Sequence, residues 1–166
     1  MDLETWELLS YVVTVIGLPF AIGAYFFDQR KERENEEEAI WQQLSDAYID
    51  FLEIVLANSD LKLRSQIATP NLSEEQRERK WVVFDMLISL FERAYLLAYE
   101  PEMDEKQDRR WHSWEDYMRE WCQREEFRTH LPELLRGEDP DFAQYIMRLA
   151  QEESSLKQQL TAPQPP

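Results

Sequence analysis

Cysteine, histidine and glycine are nearly absent from this sequence, which has one, two and three of them in 166 residues. The single Cys122 excludes an intramolecular disulfide framework and suits a reducing compartment. No reactive motif flanks it, so it reads as a small buried hydrophobe. So few glycines argue against an all-β fold, which needs turn residues at every strand end. No Gly-rich phosphate loop, nucleophile elbow or CxxC pair occurs, so most enzyme classes lack a starting motif and no cofactor is expected. Positive charge is scarce too: 18 Lys and Arg stand against 34 Asp and Glu, for a formal net charge of −16. Such a field repels a nucleic-acid backbone, and generic nucleic-acid binding is not expected.

Charge is missing altogether from one stretch. Leu8 to Phe27 is a run of twenty residues without Asp, Glu, Lys or Arg. As a helix rising about 1.5 Å per residue, it matches the roughly 30 Å hydrocarbon core of a bilayer. A cleaved secretory signal would place bases ahead of a shorter run, whereas Asp2, Glu4 and Glu7 precede this one. The run is therefore expected to be a single membrane span. Arg30, Lys31 and Arg33 follow it directly and place that side in the cytoplasm, with the N-terminus outside. The same three bases are candidates for contact with anionic headgroups. Trp6 and Tyr11 at one end, and Tyr25, Phe26 and Phe27 at the other, sit where interfacial aromatics belong. Pro19 lies mid-span, where it removes a helix hydrogen bond and is expected to kink the axis. Ser10, Thr14, Gly17, Ala21 and Ala24 recur at helical spacing and form one small, weakly polar face, the candidate interface for self-association.

The remainder reads as helices. Asp28 to Asn58 contains neither Gly nor Pro, so residues 28–39 form a charged helical stalk. Trp41, Leu44, Tyr48, Phe51 and Val55 then mark an amphipathic helix that ends near Asn58. "SEEQ", Ser73 to Gln76, is a capping-box pattern opening a helix to about Tyr99, whose polar residues Asp85, Ser89, Glu92 and Arg93 gather on one stripe. Its wide apolar circumference marks it as the central helix of a bundle. A further helix, Asp104 to Gln123, carries Trp111, Trp114, Met118 and Trp121 on one face, a set expected to fill the core. "REEFRTHLPELLRG" reads as a short helix stopped by Gly137. Asp139 caps a last helix that begins with Pro140 and reaches about Glu153.

Few residues suggest chemistry. Glu126 and His130 have metal-ligand spacing on a helix, but no second carboxylate and histidine pair completes a di-metal set, and no metal is expected. Arg124 and His130, with five residues between them, fit the loose R-x(4–6)-H pattern of the HEPN ribonucleases, which they resemble in that respect alone. There the histidine would promote attack of the RNA 2′-hydroxyl and the arginine would stabilise phosphate charge across a dimer. The alternative is that both are surface residues without a catalytic role. Glu115 and Asp116 point to different helix faces and are expected to be solvated.

Taken in order, "VTVIGLPFAI", "QRKEREN", "YIDFLEIVLANSDL", "LFERAYLLAYE" and "WEDYMREWCQREEF" resemble a family of small single-span bacterial membrane proteins, cyanobacterial in character, without assigned activity. The resemblance covers most of residues 8–150 and implies a bacterial inner membrane, or a cyanobacterial internal membrane, as the location. It implies no catalytic residues. In layout the chain is also similar to compact membrane effectors of bacterial antiviral systems. The expectation is an all-α protein: an extracytoplasmic 1–7, one transmembrane helix over 8–27, the stalk 28–39, a cytoplasmic bundle of about five helices over 40–156 and a disordered 157–166. Its expected role is that of a non-enzymatic interaction or scaffold protein, with the lipid bilayer, further copies of itself and a cytoplasmic protein as partners. A membrane-perturbing oligomeric effector and a HEPN-like ribonuclease are the alternatives.

Overall fold

The computed structural model describes the backbone of residues 18–161 and the side chains of residues 24–159. Among these residues the chain is all-α, with helices α1 (Leu18–Ala57), α2 (Glu74–Ala98), α3 (Glu105–Cys122), α4 (Glu125–Leu134) and α5 (Pro140–Thr161) and a 3₁₀ turn at Ser59–Leu61. No described helix is long and apolar enough to cross a membrane. The expected span Leu8–Phe27 lies mostly outside the described residues, as do Ser10, Thr14 and Gly17 and the side chain of Ala21.

The chain divides into two units, one ending at Gln42 and the other starting at Gln43. In the first, α1 is a charged helix on which Tyr25, Phe26 and Phe27 are 64%, 64% and 74% exposed. Arg30, Lys31 and Arg33 are exposed too. The absence of helix breakers between Asp28 and Asn58 keeps α1 unbroken through the charged stretch, although the mixed charges there bury little.

The second unit is a helical bundle whose ends are fixed by local chemistry. At the start of α2, Ser73 Oγ accepts from the backbone N–H of Gln76 at 3.2 Å, and Gln76 Oε1 accepts from that of Ser73 at 2.9 Å. This is the reciprocal cap read from "SEEQ", and it satisfies donors that every helix start leaves open. Asp104 and Gln107 build the same box at α3. Asp139 Oδ1 accepts from Asp141 and Phe142 to open α5, with Pro140 as its first residue. Gly137, at φ +93°, turns the chain between α4 and α5 in a conformation that side chains rarely adopt. The last helix is longer than expected. It runs on to Thr161 instead of stopping near Glu153, because "SSLKQQLT" holds strong helix formers and the next proline is Pro163.

The core is built around α3. Trp111, Trp114, Met118 and Trp121 are all buried, as their spacing predicts. Trp114 meets Tyr48 of α1 and Phe91 of α2, with ring centroids 5.7 and 6.4 Å apart. Trp121 meets Phe51 of α1, Phe84 of α2 and Phe127 of α4 at 5.7, 6.5 and 6.3 Å. Trp111 meets Tyr95 of α2 and Tyr145 of α5 at 6.1 and 5.8 Å. A buried tryptophan removes about 150–250 Å² from water, or roughly 4–6 kcal/mol of transfer free energy against an extended chain. One face of α3 thus reaches all four other helices.

This corrects the expectation that α2 is the helix at the centre. Phe84, Leu87, Ile88 and Phe91 of α2 are fully buried, but Val82, Met86, Leu96 and Leu97 remain 53%, 41%, 58% and 48% exposed. The large rings of α3 span the interior, so α2 needs to be covered on one side only.

A carboxyl pair stands where α2 meets the turn before α5. Glu92 accepts a hydrogen bond from the backbone N–H of Asp139. Its hydrogen bond to Glu138, helped by burial and by the negative charges of Glu92 and Asp85, pushes the Glu138 carboxyl up to about 7. A carboxyl with a raised folded-state pKa binds more protons folded than unfolded between about pH 4.3 and 7, so its contribution to stability falls as pH rises through that window. Glu138→Gln should therefore stabilise the protein at pH 8 and change little at pH 4.5. Solvent screening at this half-buried turn keeps the gain below about 1 kcal/mol. Urea unfolding at the two pH values measures it; an equal effect at both would remove the titrating pair as the cause.

Candidate functional site

Arg124 and His130, the two residues singled out by the ribonuclease-like spacing, lie at the start and in the middle of α4. Arg124 occupies the N-cap position with an extended backbone. It is 2% exposed, so it is not a surface residue. Its Nη1 donates to the carbonyl oxygens of Lys62 and Ser65 at 3.0 and 2.7 Å, while Nε and Nη2 donate to Glu126 at 3.2 and 2.7 Å. The planar guanidinium suits this task, because its fixed fork reaches two backbone carbonyls and a carboxylate at once.

The carbonyls it holds belong to the connection between α1 and α2. Lys62 is left-handed, at φ +47°, and its carbonyl also accepts from the N–H of Ser65. Leu61 and Leu63 of this segment are buried. Outside them, Arg64 pairs with Glu120, Gln66 donates to Gln123 at 2.9 Å, and Asp60 accepts from Gln76 and Arg79 at 2.9 Å each. Arg124 is the buried member of this set and fastens the loop to the junction of α3 and α4.

Glu126 joins the arginine to a second buried cation. Lys80 of α2, 4% exposed, pairs with the other Glu126 oxygen. Burial alone would raise the Glu126 carboxyl, but the hydrogen bonds from Lys80 and Arg124 hold it below the usual carboxylate range. His130 meets this cluster at the main chain of Glu126. Its ring lies 4.3 Å from Trp81, centroid to centroid, and Nδ1 is 2.8 Å from the Glu126 backbone carbonyl. Arg124 and His130 therefore both touch Glu126, one at its carboxylate and the other at its main chain. The Glu126 carboxylate is committed to Lys80 and Arg124, and among the described residues no group of His, Cys, Asp and Glu is placed to hold a metal ion.

A second polar network corrects an expectation. Glu115 is not simply solvated like its neighbour Asp116. It accepts from Arg119 at 2.7 and 2.9 Å and from the Tyr145 hydroxyl, which itself accepts from Trp111 Nε1 at 2.9 Å. Although burial opposes it, these donors hold the Glu115 carboxyl below its ordinary range, whereas burial and the hydrogen bond to Glu115 raise the Tyr145 hydroxyl. Arg119 extends the network to Glu152 at 2.8 Å and Glu153 at 3.4 Å. Cys122 is buried as expected, and that burial pushes its thiol up to about 12, well away from a reactive thiolate.

Sequence reasoning passed over Lys80 and Tyr145 and took Glu115 for a solvated residue. Lys80 carried a signal: it sits four residues before Phe84 and eleven before Phe91, on the apolar face of α2, where a lone cation needs a partner. Glu115 and Arg119 also have the acid-first spacing of a helix ion pair. The chain matches no model of a known protein family, no curated protein and no solved structure.

Proposed function

We propose that this protein is a single-span, membrane-anchored helical interaction protein that self-associates through its span and presents its bundle to a cytoplasmic protein partner. The observation that supports this reading most directly is on α1. Exposed Tyr25, Phe26 and Phe27 are followed within one turn or two by exposed Arg30, Lys31 and Arg33, the order in which an interfacial aromatic belt and a cytoplasmic basic flank occur. The uncharged run Leu8–Phe27 ends at this belt and has the length of one crossing. The location that follows is a bacterial inner membrane, or a cyanobacterial internal membrane, with the N-terminus outside.

Alkaline carbonate extraction of membranes tests the anchor. The full chain should stay in the membrane pellet and a form beginning at Asp28 should move to the supernatant; release of the full chain would overturn the reading. The mass in mild detergent tests the interface. The full chain should be oligomeric, and Gly17→Leu with Ala21→Leu should shift it to monomer, because bulky side chains on a small face keep helices apart. Unchanged mass in the double variant would place self-association elsewhere.

A further inference from the structure

The outer side of α2 carries a pattern that is its own complement. Val82 and Leu96 lie seven residues to either side of Ser89, and Asp85 and Arg93 lie four to either side. Spacings of three and four keep all five on one face of the helix. That face is open: Val82 and Leu96 are 53% and 58% exposed, and Asp85, Ser89 and Arg93 are exposed with them. Met86 and Leu97, 41% and 48% exposed, widen its two apolar ends. Four exposed apolar side chains on one helix face are more than the scattered single ones of a free surface.

The order of the charges decides what fits there. A two-fold axis through Ser89 that sets a second α2 antiparallel to the first brings each residue to the level of its mirror position. Val82 then meets the other copy's Leu96, Asp85 meets the other copy's Arg93, and Ser89 meets its own counterpart on the axis, where its small side chain lets the helices approach. Apolar ends cover apolar ends, and opposite charges meet twice. A parallel pairing would put Asp85 level with Asp85 and Arg93 level with Arg93, and such like-charge juxtaposition is costly. Within one copy Asp85 and Arg93 stand about 12 Å apart along the axis, too far to pair. The negative charges of Asp85 and Glu92 instead help to raise the Glu138 carboxyl, and Glu92 accepts from the Asp139 N–H. A guanidinium arriving from a second copy offsets that negative field.

We propose that two copies of the bundle pair antiparallel through the outer face of α2, with the Asp85 and Arg93 ion pair made twice across Ser89. The seven residues named are fewer than the roughly 20–30 a side of a stable interface, so the contact does not hold free copies together. It rests on the self-association proposed for the span, which confines two bundles at an effective concentration on the order of 1 mM.

Oxidative cross-linking of the full chain in mild detergent tests the pairing, with the mass measured in the same detergent. Cys122 is buried, so an introduced surface thiol reports alone. Ser89→Cys should form disulfide-linked dimers at least about tenfold faster than Ser113→Cys, a position exposed on α3. Asp85→Arg or Arg93→Asp, added singly to Ser89→Cys, sets like charges at both contacts and should slow cross-linking at least about fivefold, and the two together should restore it to within about twofold. Equal rates at positions 89 and 113 in an oligomeric chain would overturn the pairing, leave this face to the cytoplasmic partner and let the role of the span stand. A monomeric mass would overturn the role of the span and the pairing with it. Rates that ignore the single reversals, or that do not recover in the double reversal, would also overturn the pairing.

Discussion

Replacing Arg124 by methionine should cost about 3–5 kcal/mol of unfolding free energy, a large fraction of what holds a domain of this size together. The side chain is 2% exposed and makes four hydrogen bonds, to the carbonyls of Lys62 and Ser65 and to the carboxylate of Glu126. Methionine keeps most of the volume but takes this donor from both carbonyls; Lys62 keeps the Ser65 N–H, whereas the Ser65 carbonyl loses the guanidinium, and a polar group left without a partner costs about 1–3 kcal/mol. Glu126 would keep Lys80, which limits the damage on that side. Arg124→Lys, which retains the charge but not the fork, should still lose about 1–2 kcal/mol, since an ammonium cannot serve carbonyls and carboxylate in the same geometry. Urea unfolding of the two variants beside the parent chain, in one detergent, measures both. A methionine variant within about 1 kcal/mol of the parent would show that the connection between α1 and α2 is held without the guanidinium.

The largest loss from an apolar substitution is expected at Phe84. Its ring is fully buried and meets Trp81 of its own helix at 5.8 Å, Trp121 of α3 at 6.5 Å and Phe127 of α4 at 5.2 Å, each steeply tilted. Phe84→Ala removes the ring at which three helices converge and leaves a cavity among rigid neighbours, for a cost of about 3–5 kcal/mol. Val82→Ala, two residues earlier and 53% exposed, should stay within about 0.5 kcal/mol of the parent. The contrast between the two tests the one-sided burial of α2 directly. A cost at Val82 comparable to that at Phe84 would mean that the outer side of α2 is covered within one copy of the full protein.

Much of the helical layout was legible because its signals act over three or four residues. The Ser73 and Gln76 cap, the Asp139 cap before Pro140 and the tryptophan face of α3 are each set by neighbours within a turn or a few turns, and all three are present. The end of α5, beyond the expected Glu153, has a similar local origin, since helix formers continue past Ala150, the last buried residue of that helix, to Thr161. The place of α2 was harder. A wide apolar circumference implies burial all round only if neighbours surround the helix, and their number and reach are not written in the helix itself.

The polar sites were less legible for the same reason at longer range. Arg124 and His130 stand close in sequence and on one helix, yet the partners that define the arginine are 59 and 62 residues away, and the histidine rests on Trp81 of another helix. Lys80 and Glu126 are 46 residues apart, and Glu115 and Tyr145 are 30 apart. By itself the sequence determined the all-α class, the helix starts, the aromatic face that forms the core and the uncharged run Leu8–Phe27, because periodicity, capping and hydropathy are local properties of the chain. Only the tertiary structure decided which charged side chains are buried and paired, which helix carries the core to the others, and which side of α2 is left outside, with Val82, Asp85, Ser89, Arg93 and Leu96 on it. A charge's solvation and its partners depend on segments that arrive from elsewhere in the fold, and a pairwise contact across dozens of residues leaves no period to read.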